Sequence, residues 1–336
     1  MGAVVVYGAT GHTGRFVVAE LLARGIPTVV SGRNAARLAE LAAEWGEVEV
    51  RAASVDDPAS LDRALDGAAA VVNCAGPFAV TAGPVIEAAA RAGIPYVDVA
   101  AEIEANAGTF AEYADAGTTV VPAMAFFGGL GDLLVTAAMG EWTAADEVHV
   151  AYGLSSWHPT AGTRVAGAVS HERRAGRRVR YSGGVLEYHD DKASEEDWDF
   201  PEPLGRRAVI AEFSMADVVT VPSHLDVPEV RTYMAVEAAR DLADADTPAP
   251  TAVDDDRRSD QTFVVDVVVR AGDVVRRATA RGQDIYAVTA PLAVEAVQRI
   301  LAGKTRTTGV ASAGAMFDAA DFLQALAPHV VVELPS

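Results

Sequence analysis

Lysine is almost missing from this chain of 336 residues: Lys192 and Lys304 are the only two. That shortage argues against a Schiff-base lysine or a catalytic Tyr–Lys pair. Cysteine is scarcer still. With Cys74 alone, the sequence offers no internal disulfide framework and no multi-cysteine metal site. No run of about 20 apolar residues occurs, so the sequence holds no candidate membrane span. Positive charge is in deficit, with 47 acidic side chains against 27 Lys and Arg and a formal charge of −20. Such a field repels nucleic acid, whose binding needs clustered cations. Any bound phosphate must be held locally, by backbone N–H groups and a few arginines. The seven histidines show no H-E-x-x-H or paired ligand spacing, so no metal is assigned. The opening MGAVVVYGAT runs straight into a strand without the basic leader of a secretory signal, and the cytoplasm is the expected location.

What is present is a chain half hydrophobic, enough for about two domains. Short apolar runs at 4–7, 28–31, 48–52, 69–73, 96–99 and 119–121 alternate with helical patterns at 14–24, 35–45, from 58, 80–92 and 104–115. This alternation predicts right-handed βαβ units and a parallel sheet covered on both faces. Near residue 145 the pattern changes. Runs at 147–153, 208–215, 218–221, 230–236 and 262–270 read as strands without crossover helices, and Ala271-Gly272-Asp273 reads as a hairpin turn. The acidic, proline-bearing stretches 187–203 and 244–260 read as loops. Helices are expected at 291–301 and 317–327.

The strongest local signal is Gly8-Ala9-Thr10-Gly11-His12-Thr13-Gly14, placed between the first strand and the first helix. Small residues there let the backbone turn sharply and approach a pyrophosphate, which the N–H groups at the helix start then bind. The bland alternative is a tight turn without a ligand. At the end of the second strand, Val30-Ser31-Gly32-Arg33-Asn34 lacks the acid that holds an NAD ribose. Arg33 suits a 2′-phosphate, Ser31 can donate a hydrogen bond, and Asn34 and Arg37 lie close enough to join them. NADP(H) is therefore the expected cofactor. The fold class is α/β: a Rossmann doubly wound parallel sheet over residues 1–143 and a second α+β domain of mainly antiparallel sheet over 144–290. Residues 291–336 are expected to return as helices to the first lobe, with the nicotinamide in the cleft between lobes.

Several segments together resemble the saccharopine dehydrogenase-like reductases: VVVYGATGHTGRF, VVSGRN, VVNCAGPF at 71–78, GIPYVDVAAE at 93–102 and VPAMAFFGGLGDLL at 121–134. The resemblance covers residues 3–140 and is thin beyond. It implies that Asn73, Ala75, Gly76 and Pro77 lie beside the nicotinamide, with Phe78 lining the substrate pocket. It also places Ser54 where an acid often meets the adenine amino group. Ala161-Gly162-Thr163 is similar to a Gly-Gly-Thr turn such proteins carry in the second domain, which makes Gly162 and Thr163 pocket lining. His12 stands where an aromatic is usual, Ala100-Ala101-Glu102 where Thr-Gly-Glu is usual, and Pro122-Ala123-Met124 where Pro-Gly-Phe is usual. The last two departures touch the substrate side.

His158 and Glu102 are the candidate proton-handling groups. A structural histidine and a helix-capping carboxylate are the competing readings. His171 and Asp98 are weighed alike, Asp132 reads as a buried carboxylate, and Cys74 as a small core residue. Tyr188 and Lys192 have Tyr-x-x-x-Lys spacing but fall in a loop-like stretch. The expected activity is NADPH-dependent hydride transfer to an activated C=C or C=N bond of a small, specialised-metabolite substrate. The alternatives are an amino-acid-type C–N dehydrogenase, for which no cation cluster is evident in the sequence, and a non-catalytic NADP-binding sensor. The partner expected is a small-molecule substrate, with no nucleic acid and no membrane; a homodimer is the assembly considered.

Overall fold

The computed structural model describes residues 2–46 and 48–335. The first lobe alternates β1 (Val4–Tyr7), α1 (His12–Ala23), β2 (Thr28–Gly32), α2 (Ala35–Trp45), β3 (Glu49–Ala52) and α3 (Pro58–Leu65). It continues through β4 (Ala70–Asn73), α4 (Phe78–Ala92), β5 (Tyr96–Asp98), α5 (Ile103–Glu112) and β6 (Val120–Val121). The six strands pair in parallel in the order β3-β2-β1-β4-β5-β6. β1 shows why a β-branched run forms here. Val4 and Val6 enter the core on one face while Val5 and Tyr7 enter the core on the other, so every side chain is buried. Two of these helices, α2 and α3, start where the sequence supplies a side-chain cap. Asn34 accepts from Arg37 N, and Asp57, followed by Pro58, accepts from Ser60 N.

A tight turn at 126–130 leads into α6 (Gly131–Met139), and the chain enters a second sheet. Its elements are β7 (Glu147–Leu154), α7 (Ala161–Arg173), β8 (Arg178–Ser182), β9 (Val185–His189), β10 (Glu195–Asp199) and β11 (Arg206–Ala211). Then follow α8 (Asp217–Thr220), β12 (Val230–Ala235), α9 (Val236–Ala243), β13 (Thr262–Ala271) and β14 (Val274–Gln283). The path is β10-β11-β12-β7-β13-β14-β15, the last strand being Val330–Glu333, with the β8–β9 hairpin attached to β12. Among the described strands of this sheet, only β12 and β7 pair in parallel. The turn between β13 and β14 is made at Gly272, whose φ of +56° suits glycine. After β14 the chain returns to the first lobe as α10 (Thr289–Leu301), which packs on α1. Arg24 joins the two helices through Glu295 at 2.7 Å and Gln298 at 2.5 Å. α11 (Ala313–Met316) and α12 (Ala319–Ala325) pack on α6, and β15 (Val330–Glu333) pairs with β14.

Four sequence expectations need correction. Residues 218–221 form α8 and the turn after it instead of a strand, because Pro222 bars a ladder and Asp217 is drawn into the core. The strand expected over 208–215 ends at Ala211, where Glu212 takes a φ of +51°. Residues 187–203 are not a loop. They hold the end of β9 and all of β10, whose hairpin with β11 folds its tip across the outer face of the sheet. There Phe200 and Leu204 press on Gly153, where any side chain would overlap Leu204. Trp198 Nε1 donates to Asp266 at 2.7 Å. Finally, the returning segment is not helical throughout, since β15 completes the second sheet.

One core cluster runs from β1 and β2 through α1, α10 and α6 to the inner face of the second sheet. At its centre lies a polar knot of fully buried carboxylates. Asp132 bonds His224 Nε2 at 2.7 Å and accepts from Gly314 N at 2.7 Å. Asp217 accepts from Tyr152 OH at 2.9 and 3.0 Å. Burial pushes the Asp217 carboxyl from 3.8 up to about 7, although the Tyr152 hydroxyl opposes the shift.

A raised value means that the folded state binds this proton more tightly than the unfolded chain does. The contribution is therefore complete below pH of about 4 and lost as pH rises through about 7. Asp217→Asn keeps the acceptor for Tyr152 and removes the titration. Each tenfold gain in proton affinity on folding is worth about 1.4 kcal/mol. Denaturant unfolding across that window should therefore show the variant gaining on the parent by roughly a few kcal/mol. A constant difference would rule out a buried protonated carboxyl at this position.

Candidate functional site

The carboxyl edge of the parallel sheet collects the turns after β1, β2, β4 and β5, the crevice in which doubly wound sheets bind ligands. At Gly8, with φ of +85°, an added Cβ would lie 2.7 Å from Ala75 N, and at Gly14 it would overlap Gly8 O. The turn is fastened to β2 by Gly8 N and Ala9 N donating to Ser31 O at 2.9 and 3.2 Å. Gly11 is the N-cap of α1, and no side chain caps the helix. The backbone N–H groups of His12, Thr13 and Gly14 have no protein acceptor among the described residues, so the amino end of α1 presents donors and a positive dipole. Thr10 lies half-buried on the same turn.

Next to it, Ser31 is fully buried, yet its Oγ has no partner among the described residues. Arg33 and Arg37 are exposed, and neither side chain forms an ion pair or hydrogen bond among the described residues. Asn34 spends its Oδ1 on Arg37 N, 3.1 Å away, as the cap of α2. Ser54 takes part in the β3–α3 turn, its N–H donating to Ser60 Oγ at 3.0 Å and its hydroxyl accepting from Asp56 N at 3.3 Å. Asp56 lies two residues further on, and its Oδ2 accepts from Ser54 Oγ at 3.4 Å. Its charge and that of Arg33 both reach the Tyr7 phenol, which burial pushes up.

The turn after β4 is held from below. Asn73 is fully buried and its amide is committed: Oδ1 accepts from Ala75 N at 3.0 Å, and Nδ2 donates to Thr81 Oγ1 and Tyr96 OH at 3.3 and 3.1 Å. The Asn73 side chain thus shapes the turn from beneath. Tyr96 OH donates to Asp98 Oδ2 at 2.8 Å. Asp98 Oδ1 accepts from Ala100 N at 3.0 Å and Ala123 N at 2.8 Å. Burial pushes the Asp98 carboxyl up to about 6. Gly76 and Pro77 lead into α4, whose first N–H groups, on Phe78 and Ala79, donate to Glu102 at 2.7 and 3.1 Å. Glu102 thus caps α4 from the next loop; burial raises its carboxyl, and these two donors oppose the rise. Cys74 is half-buried, and desolvation pushes its thiol up, out of the reactive range.

α7 reaches over this edge from the second lobe, against α4 and α5. Gly162 and Thr163 open that helix rather than forming a turn, with Thr160 as the cap. Their anchor is Tyr286, which neither spacing nor motif singles out. Its hydroxyl bonds Thr163 Oγ1 at 3.0 Å, receives Thr160 N and Trp157 Nε1 at 3.3 Å, and reaches His158 O at 3.3 Å. Its ring meets His12 edge-on, 5.2 Å between centroids. The His12 Nε2 is buried without a partner among the described residues, and burial lowers its pKa. His158 lines a small hollow with Ser156, Gln261 and Tyr286, none of which belongs to the turn after β4. Tyr188 lies in β9, with Lys192 in the stretch beyond it, so their spacing has no helix to act on.

A signal overlooked in the sequence is HERRAGRRVR at 171–180, five arginines in ten residues of an acidic protein. Arg174 Nη1 lies 3.9 Å from Glu104. Arg173 and Arg177 carry no ion pair among the described residues, while the charge of Arg173 reaches Glu102.

Residues 4–121 match the family model described as Saccharopine dehydrogenase NADP binding domain. The Arabidopsis thaliana protein named "Probable mitochondrial saccharopine dehydrogenase-like oxidoreductase" is 32% identical over 144 residues, covering 37% of this chain and 31% of that protein. The human saccharopine dehydrogenase-like oxidoreductase is 32% identical over 117 residues, 30% of this chain and 27% of its own length. The match thus spans less than a third of these relatives. Apo saccharopine dehydrogenase (L-Glu forming) from Saccharomyces cerevisiae superimposes over 100% of both chains with a TM-score of 0.67 at 13% identity. The first lobe is an NADP-binding domain of the saccharopine dehydrogenase type, and the whole chain has the fold of that dehydrogenase. The local structure fits the dinucleotide, with an uncapped helix amino end, a glycine turn without room for side chains, and unpaired arginines at the β2 edge.

The two helix-start glycines should respond differently to alanine. Gly14→Ala forces Cβ into Gly8 O, so the turn must shift, at a cost of about 2 kcal/mol in stability and most of the NADP(H) affinity. Gly162→Ala meets only Thr160 Oγ1 at 3.6 Å and should leave both unchanged or slightly improved. Thermal unfolding and cofactor titration of both variants check this.

Proposed function

We propose that this protein is an NADP(H)-dependent oxidoreductase that reduces an activated C=N or C=C bond of a small molecule. The observation that carries the reading is the acceptor-free amino end of α1, set beside the unpaired Arg33 and Arg37. The α1 N–H groups take the pyrophosphate, and Arg33, with Ser31 Oγ behind it, takes the 2′-phosphate. Ala75, Gly76 and Pro77 form the floor at the nicotinamide end, and Phe78 with the first turns of α7 bounds the substrate. When bound, the dinucleotide supplies or accepts the hydride. The chain's own part is to hold the substrate over that floor and to deliver a proton. Of the two proton carriers anticipated, Glu102 has the better position: it is buried, next to Phe78, and its carboxyl is raised. His158 is the alternative donor from the Tyr286 side.

A second reading, a C–N dehydrogenase acting on a carboxylate-bearing amine, is favoured by Arg173, which has no ion pair among the described residues and whose charge reaches Glu102. Arg173→Ala should then raise KM for anionic substrates and spare neutral ones.

NADPH should bind at least tenfold more tightly than NADH, about 1.4 kcal/mol, and Arg33→Ala should erase most of that preference. Equal affinities in the parent protein would sink the reading. NADPH oxidation assayed against imine and enone panels identifies the bond reduced. Glu102→Gln should lower turnover about a hundredfold with NADPH affinity unchanged, whereas His158→Asn should not. The reverse result moves the proton to His158.

A further inference from the structure

We infer that Asp98 is a positioning residue that sets, through Tyr96 and Asn73, the floor on which the nicotinamide ring lies. The inference rests on reading the turn after β4 as the nicotinamide end of an NADP(H) site. Three loops leave the carboxyl edge at β4, β5 and β6, and one carboxylate touches or governs all three. Oδ1 receives Ala100 N from the loop after β5 and Ala123 N from the loop after β6. The Asp98 backbone carbonyl receives Met124 N at 2.7 Å, which pins the same β6 loop at Ala123, whose φ is +55°. Oδ2 receives Tyr96 OH, and Tyr96 OH in turn receives Asn73 Nδ2.

The direction of these bonds matters. A carboxylate accepts only, so the Tyr96 proton must point to Asp98, and the phenol oxygen is left to accept from Asn73. That in turn fixes which way the Asn73 amide faces: its Oδ1 is the end that holds Ala75 N. Thr81 Oγ1 holds Ala75 O at 2.5 Å, so the Ala75 peptide is gripped on both sides. Asn73, Tyr96 and Asp98 are each 0% exposed, and water cannot replace a missing member. The adenine end, at Ser31, Arg33 and Asp56, shares none of these bonds.

That separation gives the test. The parent protein, Tyr96→Phe and Asp98→Asn are titrated with NADPH, followed by dihydronicotinamide fluorescence, and with 2′,5′-ADP, which has no nicotinamide. Tyr96→Phe removes one hydroxyl and keeps the ring; it is the variant to rely on if Asp98→Asn fails to fold. The expected result is a loss of NADPH affinity of tenfold or more in the variants, with 2′,5′-ADP affinity within about twofold of the parent. Unchanged NADPH affinity overturns the inference. Parallel loss of both ligands also overturns it, since that is what general loosening of the domain produces. A parent protein that binds neither ligand overturns the NADP(H) reading itself, and this inference with it.

Discussion

The contact between two backbone turns, at Gly8 and Ala75, is the constraint on which the rest of the site depends. β1 and β4 are neighbours, but the chain runs outward from them in opposite directions, towards β2 and β3 on one side and β5 and β6 on the other. The turns leaving them open a crevice between them, and here they close it to van der Waals distance because Gly8 has no side chain. The amino end of α1 is thereby drawn to the sheet edge, where its N–H groups stay free for an anion. A side chain at Gly8 would push apart the two halves that the dinucleotide has to bridge.

The second lobe is not an appendage. A continuous apolar core joins it to the first through α6 and α10, and the cleft lies at the rim of that core. Its roof, α7, is the least embedded of the longer helices, with Ser170 its one buried residue. Polar fastenings locate it instead: Tyr286 at its start and the Arg174–Glu104 approach at its end. A roof held by a few hydrogen bonds and little buried area opens at low energetic cost, which suits an element that must admit and release small molecules.

The first lobe was legible in the sequence because its inner strands bury both faces and are written as short, largely apolar runs, with only the edge strand β3 mostly exposed. Its binding turn demands glycine for steric reasons that leave a regular spacing. Arg33 stood out for a similarly local reason, occupying the place where an acid would otherwise be. The second lobe resisted where tertiary contacts overrode local preference. The β-branched run at 218–221 became helical around a buried Asp217, and the acidic 195–199 became a strand because Trp198 reaches across the sheet to Asp266. Tyr286 was invisible because its partners, His12 and residues 157–163, are brought to it only by folding. Asn73 was found for its motif, and the structure adds what the motif does not show, that its amide is committed to Ala75, Thr81 and Tyr96. The arginines of 171–180 were readable and were passed over, masked by the overall negative charge.

The last strand sets an order of events during synthesis. β14 is left with an open edge until residues 330–333 arrive, and the helices that precede β15 are needed to cover α1 and α6. During synthesis the parallel sheet can form early, but the second sheet presents a raw edge at β14, a template for wrong pairing, until residues 330–333 have emerged. Vectorial synthesis therefore places the hazard in the interval between the emergence of β14 and that of β15.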